Sequence, residues 1–195
     1  MDKKKVVLIL VLAFVVLLAG ASALYGTLGE EMAPEQLATQ PTQPPEETGE
    51  TGETRPRIQA PDFVVYDKVG KPVRLSAYFG KPIVLNFWAS WCGPCQLEMP
   101  DFQERYEALG DQVQFLMINI TTGRETQASA EAFLKEKGYT FPVFFDTTSD
   151  AAVAYGAYSL PTTFFIDAEG FAVAMATGSI NAETLQKGID MILEK

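Results

Sequence analysis

Histidine is absent from this chain of 195 residues, and cysteine occurs only twice. Without an imidazole, Ser-His-Asp and Cys-His catalysis are excluded, and so are metal sites that depend on histidine ligands. Two cysteines in one chain cannot supply all the ligands of a four-coordinate thiolate centre. We therefore expect no metal site, and we expect the two cysteines either to form a pair or to have no chemical role.

Positive charge is also scarce. The formal net charge is −10, of which residues 1–28 contribute +2, residues 29–58 contribute −5 and residues 59–195 contribute −7. Surfaces that bind nucleic acids require clustered lysine and arginine. The acidic balance therefore argues against a nucleic-acid partner, and it argues equally against binding of an anionic membrane by residues 59–195.

Charged residues are missing from residues 6–28, an apolar run that follows three consecutive lysines. As a helix this run would be about 34 Å long, enough to cross a hydrocarbon core of about 30 Å. Lysines before it and acids after it favour a cytoplasmic N-terminus with the remaining chain outside. Residues 1–28 are thus predicted to be a transmembrane anchor, or a signal peptide cleaved near Ala21-Ser22-Ala23. We favour the anchor, and both alternatives place the rest of the chain outside the cytoplasm.

Large apolar side chains are rare in residues 29–58, which are rich in Pro, Glu, Thr, Gln and Gly. Such a composition cannot offset the entropy that is lost on ordering, so we predict a disordered, partly extended tether. From residue 59 onward the composition becomes that of a globular domain, and we assign residues 59–195 to it.

Residues 59–195 alternate between strand-like and helix-like segments. A polar turn at residues 68–71 separates two short strands and predicts an N-terminal β-hairpin. Residues 83–87 and 113–120 are apolar runs typical of strands that are buried on both faces. The other predicted strands are residues 63–66, 73–75, 142–145, 162–167 and 171–177, and the predicted helices are residues 96–109, 126–137, 150–155 and 181–193. This order predicts an α/β domain whose mixed sheet has a parallel part and an antiparallel edge.

The predicted helices carry local signals of their own. Asp150 and Asn181 are candidates for N-caps, and Gly138 is a candidate for a helix stop. The side chains of the first helix that we expect to face the core are those of Leu97, Phe102, Tyr106 and Leu109.

The two cysteines lie in Trp91-Cys92-Gly93-Pro94-Cys95, between a predicted buried strand and a predicted helix. The free N–H groups and partial positive charge of a helix N-terminus stabilise a thiolate, so Cys92 is the candidate nucleophile. Pro94 is tolerated in the first turn of a helix. We expect Cys92 to be exposed and to attack disulfides, and we expect Cys95 to point away from solvent and to resolve the mixed disulfide. An inert structural disulfide is the alternative.

Four segments carry a resemblance to a known family: Ala60-Pro61-Asp62-Phe63, Phe79-Gly80-Lys81-Pro82, VLNFWASWCGPC and LPTTFFID. Over residues 58–195 the chain resembles the thioredoxin superfamily and, more narrowly, its membrane-tethered TlpA/ResA-like thiol–disulfide oxidoreductases. The resemblance implies a thioredoxin-like fold with a central sheet flanked by helices and a central helix–strand insertion.

The same resemblance implies a bacterial enzyme that reduces disulfides in exported cysteine-containing proteins, such as cytochrome c apoproteins during cytochrome c maturation. A membrane electron donor of the CcdA or DsbD type would re-reduce it. No cofactor is expected beyond the redox-active disulfide between Cys92 and Cys95.

The resemblance also assigns residues around the cysteines. Pro161 matches the family's cis-proline beside the disulfide, and the backbone of Leu160 would pair with an extended substrate segment. Pro100 matches the proline that kinks the active-site helix. The residues expected to contact substrate are Trp91, Gly93, Pro94, Leu160, Pro161 and Thr162.

Glu98 is the third candidate catalytic residue. It lies one helical turn after Cys95 on the same side of the helix. In the TlpA/ResA-like branch, a glutamate at this place is buried beneath the cysteine pair and assists proton transfer. Asn86 stands where cytoplasmic thioredoxins have a buried aspartate, which leaves Glu98 as the evident acid. A solvated surface glutamate is the alternative.

Three other functions compete with disulfide reduction. A peroxiredoxin-like thiol peroxidase needs a Thr-x-x-Cys context, but Ala89-Ser90-Trp91 precede Cys92 and no matching arginine is evident. A copper chaperone of the Sco type needs a longer cysteine spacing and a histidine. A non-enzymatic binding module with a structural disulfide remains open. Arg124 and Glu125 could contact a partner, but we predict a plain solvated loop for them.

Overall fold

The computed structural model describes Ala38–Thr39 and residues 57–193. The predicted anchor at residues 1–28 lies outside the described residues, as does most of the predicted tether at residues 29–58. In the part of the chain that is described, no helix has the length and apolar character needed to cross a membrane. The anchor and the tether therefore stay predictions.

The described residues form a mixed sheet with helices on both faces. The strands are β1 Ala38–Thr39, β2 Ile58–Gln59, β3 Val64–Tyr66, β4 Pro72–Arg74, β5 Ile83–Trp88, β6 Gln114–Ile120, β7 Val143–Asp146, β8 Thr162–Ile166 and β9 Phe171–Thr177. The helices are α1 Gly93–Leu109, α2 Gln127–Lys137, α3 Asp150–Tyr155 and α4 Ala182–Leu193, with a short 3-10 helix at Leu75–Tyr78.

The strand order is β1-β9-β8-β5-β6-β7-β3-β4, and β2 also pairs with β9. The strands β5, β6 and β7 are parallel to one another, and every other pairing is antiparallel. The hairpin of β3 and β4 closes one edge. This arrangement confirms the predicted α/β architecture, with its parallel centre and antiparallel edge.

Strand β5 is buried along its whole length, because both faces of the sheet are covered. Side chains alternate between the two faces of a strand. Ile83, Leu85 and Phe87 therefore pack in the core on one face. Val84 and Trp88 pack in the core on the other face, against α1, α2 and α4. Asn86 shares the second face and so points towards the helix that carries the cysteines.

Helix α1 begins three residues earlier than predicted, at Gly93, because Cys92 occupies its N-cap position. Pro100 lies inside the helix, as the resemblance implied. Leu97 is 77% exposed, so the prediction that it faces the core is wrong. The buried stripe runs through Cys95, Met99 and Phe102, and Leu97 lies about 200° around the helix from Cys95.

The helix termini confirm two of the predicted capping signals and correct a third. Helix α2 ends at Gly138 in the left-handed conformation, and Asn181 Oδ1 accepts a hydrogen bond of 2.9 Å from the Thr184 N–H at the start of α4. Asp150, however, is the first residue of α3 and not its cap. Its carboxylate accepts a 2.7 Å hydrogen bond from the Val64 N–H, while Asp146 accepts a 2.9 Å bond from the Ala152 N–H within α3.

The outer edge of β9 pairs with two short strands, β1 within the predicted tether and β2 at the boundary between the tether and the globular domain. β1 pairs with Ala174 and Met175, and β2 pairs with Phe171 and Ala172. Arg57 forms an ion pair with Asp167 and stacks on the Phe171 ring at 4.0 Å. At these positions the chain pairs with the sheet, and the rest of the disordered, partly extended tether predicted for residues 29–58 lies outside the described residues.

Candidate active site

Cys92 and Cys95 are joined by a disulfide at the point where β5 leads into α1, with their Cα atoms 5.2 Å apart. Cys92 is the N-cap, and its sulfur accepts a hydrogen bond of 3.2 Å from the Cys95 N–H. The first turn of α1 contains no acidic residue. A helix of 17 residues thus directs its N-terminal N–H groups and partial positive charge at the Cys92 sulfur, an arrangement that stabilises a thiolate there.

The two cysteines differ less in exposure than we predicted. Cys95 is fully buried, as expected, but Cys92 is only 4% exposed in this disulfide form. Cys92 nevertheless lines an open groove, so a substrate sulfur can approach it from that side. Its accessibility depends on the groove and not on a protruding side chain.

Glu98 is 1% exposed, which confirms its predicted burial. Its Oε1 accepts a hydrogen bond of 2.8 Å from Asn86 Nδ2, and its Oε2 accepts one of 3.0 Å from the Ile180 N–H. Loss of hydration is the main cause that raises the pKa of this carboxyl group to about 7. The negative charge of Asp101 raises the pKa further, whereas the hydrogen bonds from Ile180 and Asn86 lower it. Glu98 can therefore gain or lose a proton close to neutral pH.

Asn86 ties this acid to two strands of the sheet. Its Nδ2 also donates a 3.0 Å hydrogen bond to Thr163 Oγ1 on β8, and both Asn86 and Thr163 are fully buried. Asn86 Oδ1 is buried and has no hydrogen-bond partner within the part of the chain that the structure describes. When Glu98 is protonated, its hydroxyl group needs a hydrogen-bond acceptor. The side-chain amide of Asn86 can supply one if it rotates by 180°, which exchanges the positions of its oxygen and nitrogen atoms.

The loop before β8 contains the predicted cis-proline. The Leu160–Pro161 peptide bond is cis. The Pro161 carbonyl accepts a 2.9 Å hydrogen bond from the Gly178 N–H, and Thr162 Oγ1 donates one of 2.6 Å to the Ser159 carbonyl. Among the described residues the backbone of Leu160 has no hydrogen bond, which agrees with the prediction that it is available to a substrate segment.

A groove with a volume of about 660 Å³ runs beside the disulfide. It brings together five of the residues that the sequence placed at the site: Trp91, Cys92, Gly93, Pro94 and Leu160. Its remaining lining residues are Ile120, Thr122, Arg124, Ser149, Ala152, Val153, Ala157 and Tyr158. Pro161 and Thr162 are buried and do not line it. The groove is mainly apolar, and exposed side chains of Trp91, Val153 and Tyr158 surround it.

The loop after β6 was wrongly predicted to be merely solvated. Glu125 is 3% exposed, and its carboxylate accepts hydrogen bonds from the Ser90 N–H at 3.1 Å and the Ser90 hydroxyl at 2.9 Å. Asn119 and Ser129 donate to its other oxygen at 3.4 and 3.3 Å. Glu125 thereby fixes the segment that leads into the cysteines. The one sequence signal for this was Asn119, a polar residue in an otherwise apolar strand.

The contact between Arg124 and Trp91 was also not predicted from the sequence. Its guanidinium carbon lies 3.8 Å from the centre of the Trp91 ring, so it stacks on the residue that precedes Cys92. Trp91 is 46% exposed and lines the groove, so it is accessible to a substrate, as its predicted role in substrate contact requires.

Comparison with known proteins agrees with this geometry. Residues 56–175 match the model of the AhpC/TSA family. The thiol-disulfide oxidoreductase ResA of Geobacillus thermodenitrificans is 39% identical over 134 residues, which are 68% of this chain and 75% of that protein.

Many solved structures share the fold, and two of them serve as examples. A DsbF homologue from Corynebacterium diphtheriae has a TM-score of 0.63 and 29% identity, covering 78% of this chain and 99% of that one. The exposed lipoprotein thioredoxin of Streptococcus pneumoniae has a TM-score of 0.58 and 34% identity, covering 67% of this chain and 99% of that one. These relatives favour disulfide chemistry over the peroxidase and binding-module alternatives. The chain belongs to the AhpC/TSA family and, within it, to the ResA-like thiol–disulfide oxidoreductases with the thioredoxin fold.

Proposed function

We propose that this protein reduces disulfide bonds in exported cysteine-containing proteins, cytochrome c apoproteins among them, on the outer side of the cytoplasmic membrane. The observation that carries the proposal is the position of Cys92, which caps α1 and at the same time lines a mainly apolar groove. A groove of this kind suits an extended polypeptide segment better than a small polar oxidant.

In the reduced enzyme, the Cys92 thiolate attacks one sulfur of the substrate disulfide. A mixed disulfide forms between Cys92 and the substrate, and the second substrate sulfur leaves as a thiolate that takes up a proton. Cys95 then loses its proton and attacks the Cys92 sulfur. The Cys92–Cys95 disulfide forms and the substrate leaves as a dithiol. Two electrons pass from the enzyme to the substrate; the proton that Cys95 loses balances one of the two protons that the substrate thiolates take up, and the other comes from solvent.

Glu98 is the proton acceptor for the second step in this proposal. Cys95 is fully buried, so bulk water does not reach its thiol freely, and Glu98 follows it by one helical turn. A carboxyl group with a pKa of about 7 is ionised often enough at neutral pH to accept a proton and can return it to solvent afterwards.

The substrate backbone would lie along Leu160, whose N–H and carbonyl groups have no partner among the described residues. Trp91, Gly93 and Pro94 would contact the other side of the segment. Pro161 and Thr162, which do not line the groove, would act by holding Leu160 in place.

The proposed location rests on the apolar sequence of residues 6–28, which would anchor the chain with its N-terminus in the cytoplasm. The relative from Streptococcus pneumoniae is described as an exposed lipoprotein, which is consistent with an external position. A reductant in an oxidising compartment needs a source of electrons. A membrane donor of the CcdA or DsbD type would reduce the Cys92–Cys95 disulfide after each turnover.

The experiment that tests this function is reduction of a disulfide-bonded apocytochrome c peptide by the full-length protein in detergent, after its own disulfide has been reduced. We expect stoichiometric oxidation of the protein and no reaction by Cys92→Ser. A parallel assay with hydrogen peroxide provides the comparison. Rapid turnover of peroxide together with an unreactive peptide would replace the proposal with the peroxidase function.

A further inference from the structure

The guanidinium group of Arg124 is held at the mouth of the groove with its hydrogen-bonding edge unoccupied. Its face stacks on the Trp91 ring at 3.8 Å, and the side chain is exposed. Within residues 57–193 and Ala38–Thr39 it takes part in no ion pair or hydrogen bond. Stacking uses only the flat face of a guanidinium group, so the N–H donors around its rim stay available.

The position of Arg124 is fixed by its neighbours. The next residue, Glu125, is buried and bonded to both the backbone and the hydroxyl of Ser90. The Glu125 N–H also donates a 3.1 Å hydrogen bond to the Thr122 carbonyl, which closes a turn around Arg124. An arginine held in this way loses little further conformational entropy when it binds an anion.

Arg124 gives the groove a positive charge. Of the described residues that line the groove, Arg124 alone is charged, and the others are apolar or polar and uncharged. Residues 59–195 carry a net charge of −7, so most of the domain surface repels anions. Among the side chains that line the groove, Arg124 is therefore the one that attracts an acidic group of a substrate segment.

We propose that Arg124 binds a carboxylate of the substrate polypeptide, so that the enzyme prefers disulfides with an aspartate or glutamate close to the reacting cysteine. The inference rests on the proposed function, because it names a feature of the polypeptide that occupies the groove. Carboxylates are the ordinary anions of polypeptides, and their geometry matches the paired donors of arginine. Arg124 stacks on Trp91, which is the neighbour of Cys92 in the chain. An extended substrate advances about 3.3 Å per residue, so we place the acid within about three residues of the reacting cysteine.

The test uses disulfide-bonded peptides in which glutamate is moved through the three positions on each side of the reacting cysteine, with glutamine in the same positions as the reference. The reduced full-length protein in detergent is mixed with each peptide, and the second-order rate constant is measured by stopped flow. We expect one or two positions at which the glutamate peptide reacts about fivefold faster at low salt, and a smaller ratio at high salt.

Variants assign the preference to Arg124. Arg124→Gln should reduce the glutamate-to-glutamine ratio to about one, and Arg124→Lys should restore it only in part, because an ammonium group lacks the paired donors. Lys71→Gln removes the same charge from an exposed residue outside the groove and should keep the full ratio. Thermal unfolding of each variant shows that the fold is intact.

The outcomes separate the two proposals. If the wild-type protein reduces none of the peptides, the proposed function fails. If it reduces all of them at equal rates, the function stands and the carboxylate preference is wrong. If Arg124→Gln slows every peptide by the same factor and leaves the ratio unchanged, Arg124 acts on the Cys92 thiolate and not on substrate, which also overturns the inference.

Discussion

The side chain of Asn86 donates a hydrogen bond of 2.8 Å to Glu98, and this bond joins the central strand β5 to the helix that carries the cysteines. Both residues are buried polar groups within elements that are otherwise packed with apolar side chains. A buried carboxylate is costly unless it is hydrogen-bonded or protonated. The protonation of Glu98 therefore contributes to the way in which the stability and the reaction rate of the protein depend on pH.

The first prediction concerns stability. Both folded and unfolded chains carry the Glu98 proton at low pH, but as pH rises above 4.5 the unfolded chain loses it while the folded chain keeps it until about pH 7. Stability should thus fall with rising pH in this window, by about 3 kcal/mol in total. Glu98→Gln lacks this loss, so its stability relative to wild type should increase from about pH 4 to about pH 8, as measured by urea unfolding of the disulfide form. The exposed Glu104→Gln on the same helix is the control and should show no such trend.

The second prediction concerns rate. Glu98→Gln cannot accept the proton of Cys95, so the mixed disulfide should be resolved about 10- to 100-fold more slowly at neutral pH. Wild type should show an inflection near pH 7 in the rate of this step, and the variant should lack it. Stopped-flow reduction of a model disulfide from about pH 5 to about pH 10 measures both. Superimposable profiles would make Glu98 a bystander.

The third prediction exchanges the amide beside Glu98 for a second acid. Asn86→Asp would place two carboxyl groups within hydrogen-bonding distance in a buried site, where like charges cannot both be tolerated. We expect the pair to keep one shared proton to a higher pH than Glu98 alone does. The variant should therefore continue to lose stability with rising pH above about pH 7, where the loss in wild type ends. Asn86→Gln is the uncharged comparison. A variant with the pH dependence of wild type would show that the Asn86 site is better hydrated than its burial indicates.

The fourth prediction separates the roles of the cysteines. Cys95→Ser keeps the nucleophile but lacks the thiol that resolves the mixed disulfide, so it should accumulate covalent adducts with exported cysteine-containing proteins. Cys92→Ser should form none. Non-reducing electrophoresis, with release by dithiothreitol, detects the adducts. Adducts formed by Cys92→Ser and absent from Cys95→Ser would reverse the assignment.

The fifth prediction concerns the hydrogen bonds that Glu125 accepts from Ser90. Glu125→Ala would leave the N–H and hydroxyl of Ser90 without their buried acceptor, and we expect a loss of about 2–4 kcal/mol in the free energy of unfolding. Glu125→Gln keeps an acceptor and should lose less. The exposed Glu136→Ala on α2 should change stability by less than about 0.5 kcal/mol. If Glu125→Ala were as stable as Glu136→Ala, water would be replacing the carboxylate.

The strands and the Glu98 site could be predicted because regular elements repeat at fixed intervals. Apolar runs identified β5 and β6, and the spacing of Glu98 from Cys95 placed both on one face of α1. The same rule failed for Leu97, because the buried stripe of α1 contains the polar Glu98 and the apolar pattern is correspondingly weak. The helix therefore offered no clear apolar face from which to choose.

The loop residues could not be predicted, because loops have no period from which a contact can be inferred. The burial of Glu125 depends on donors from other elements. Ser90, 35 residues earlier in the chain, and Asn119 at the end of β6 both donate hydrogen bonds to it in the fold. Asp150 was misassigned for the same reason, since its partner is the Val64 N–H, 86 residues away. Contacts of this kind depend on the assembled sheet.

The pairing of β1 and β2 with β9 has a consequence for the solubility of the protein. β9 is seven residues long, and four of its residues pair on the outer edge with β1 and β2, which lie before residue 60. Exposed strand edges promote sheet-to-sheet association between molecules. A shortened protein that begins after Gln59 would keep every residue of the redox site and yet expose this edge. Its tendency to self-associate would then be governed by a segment with no part in the chemistry.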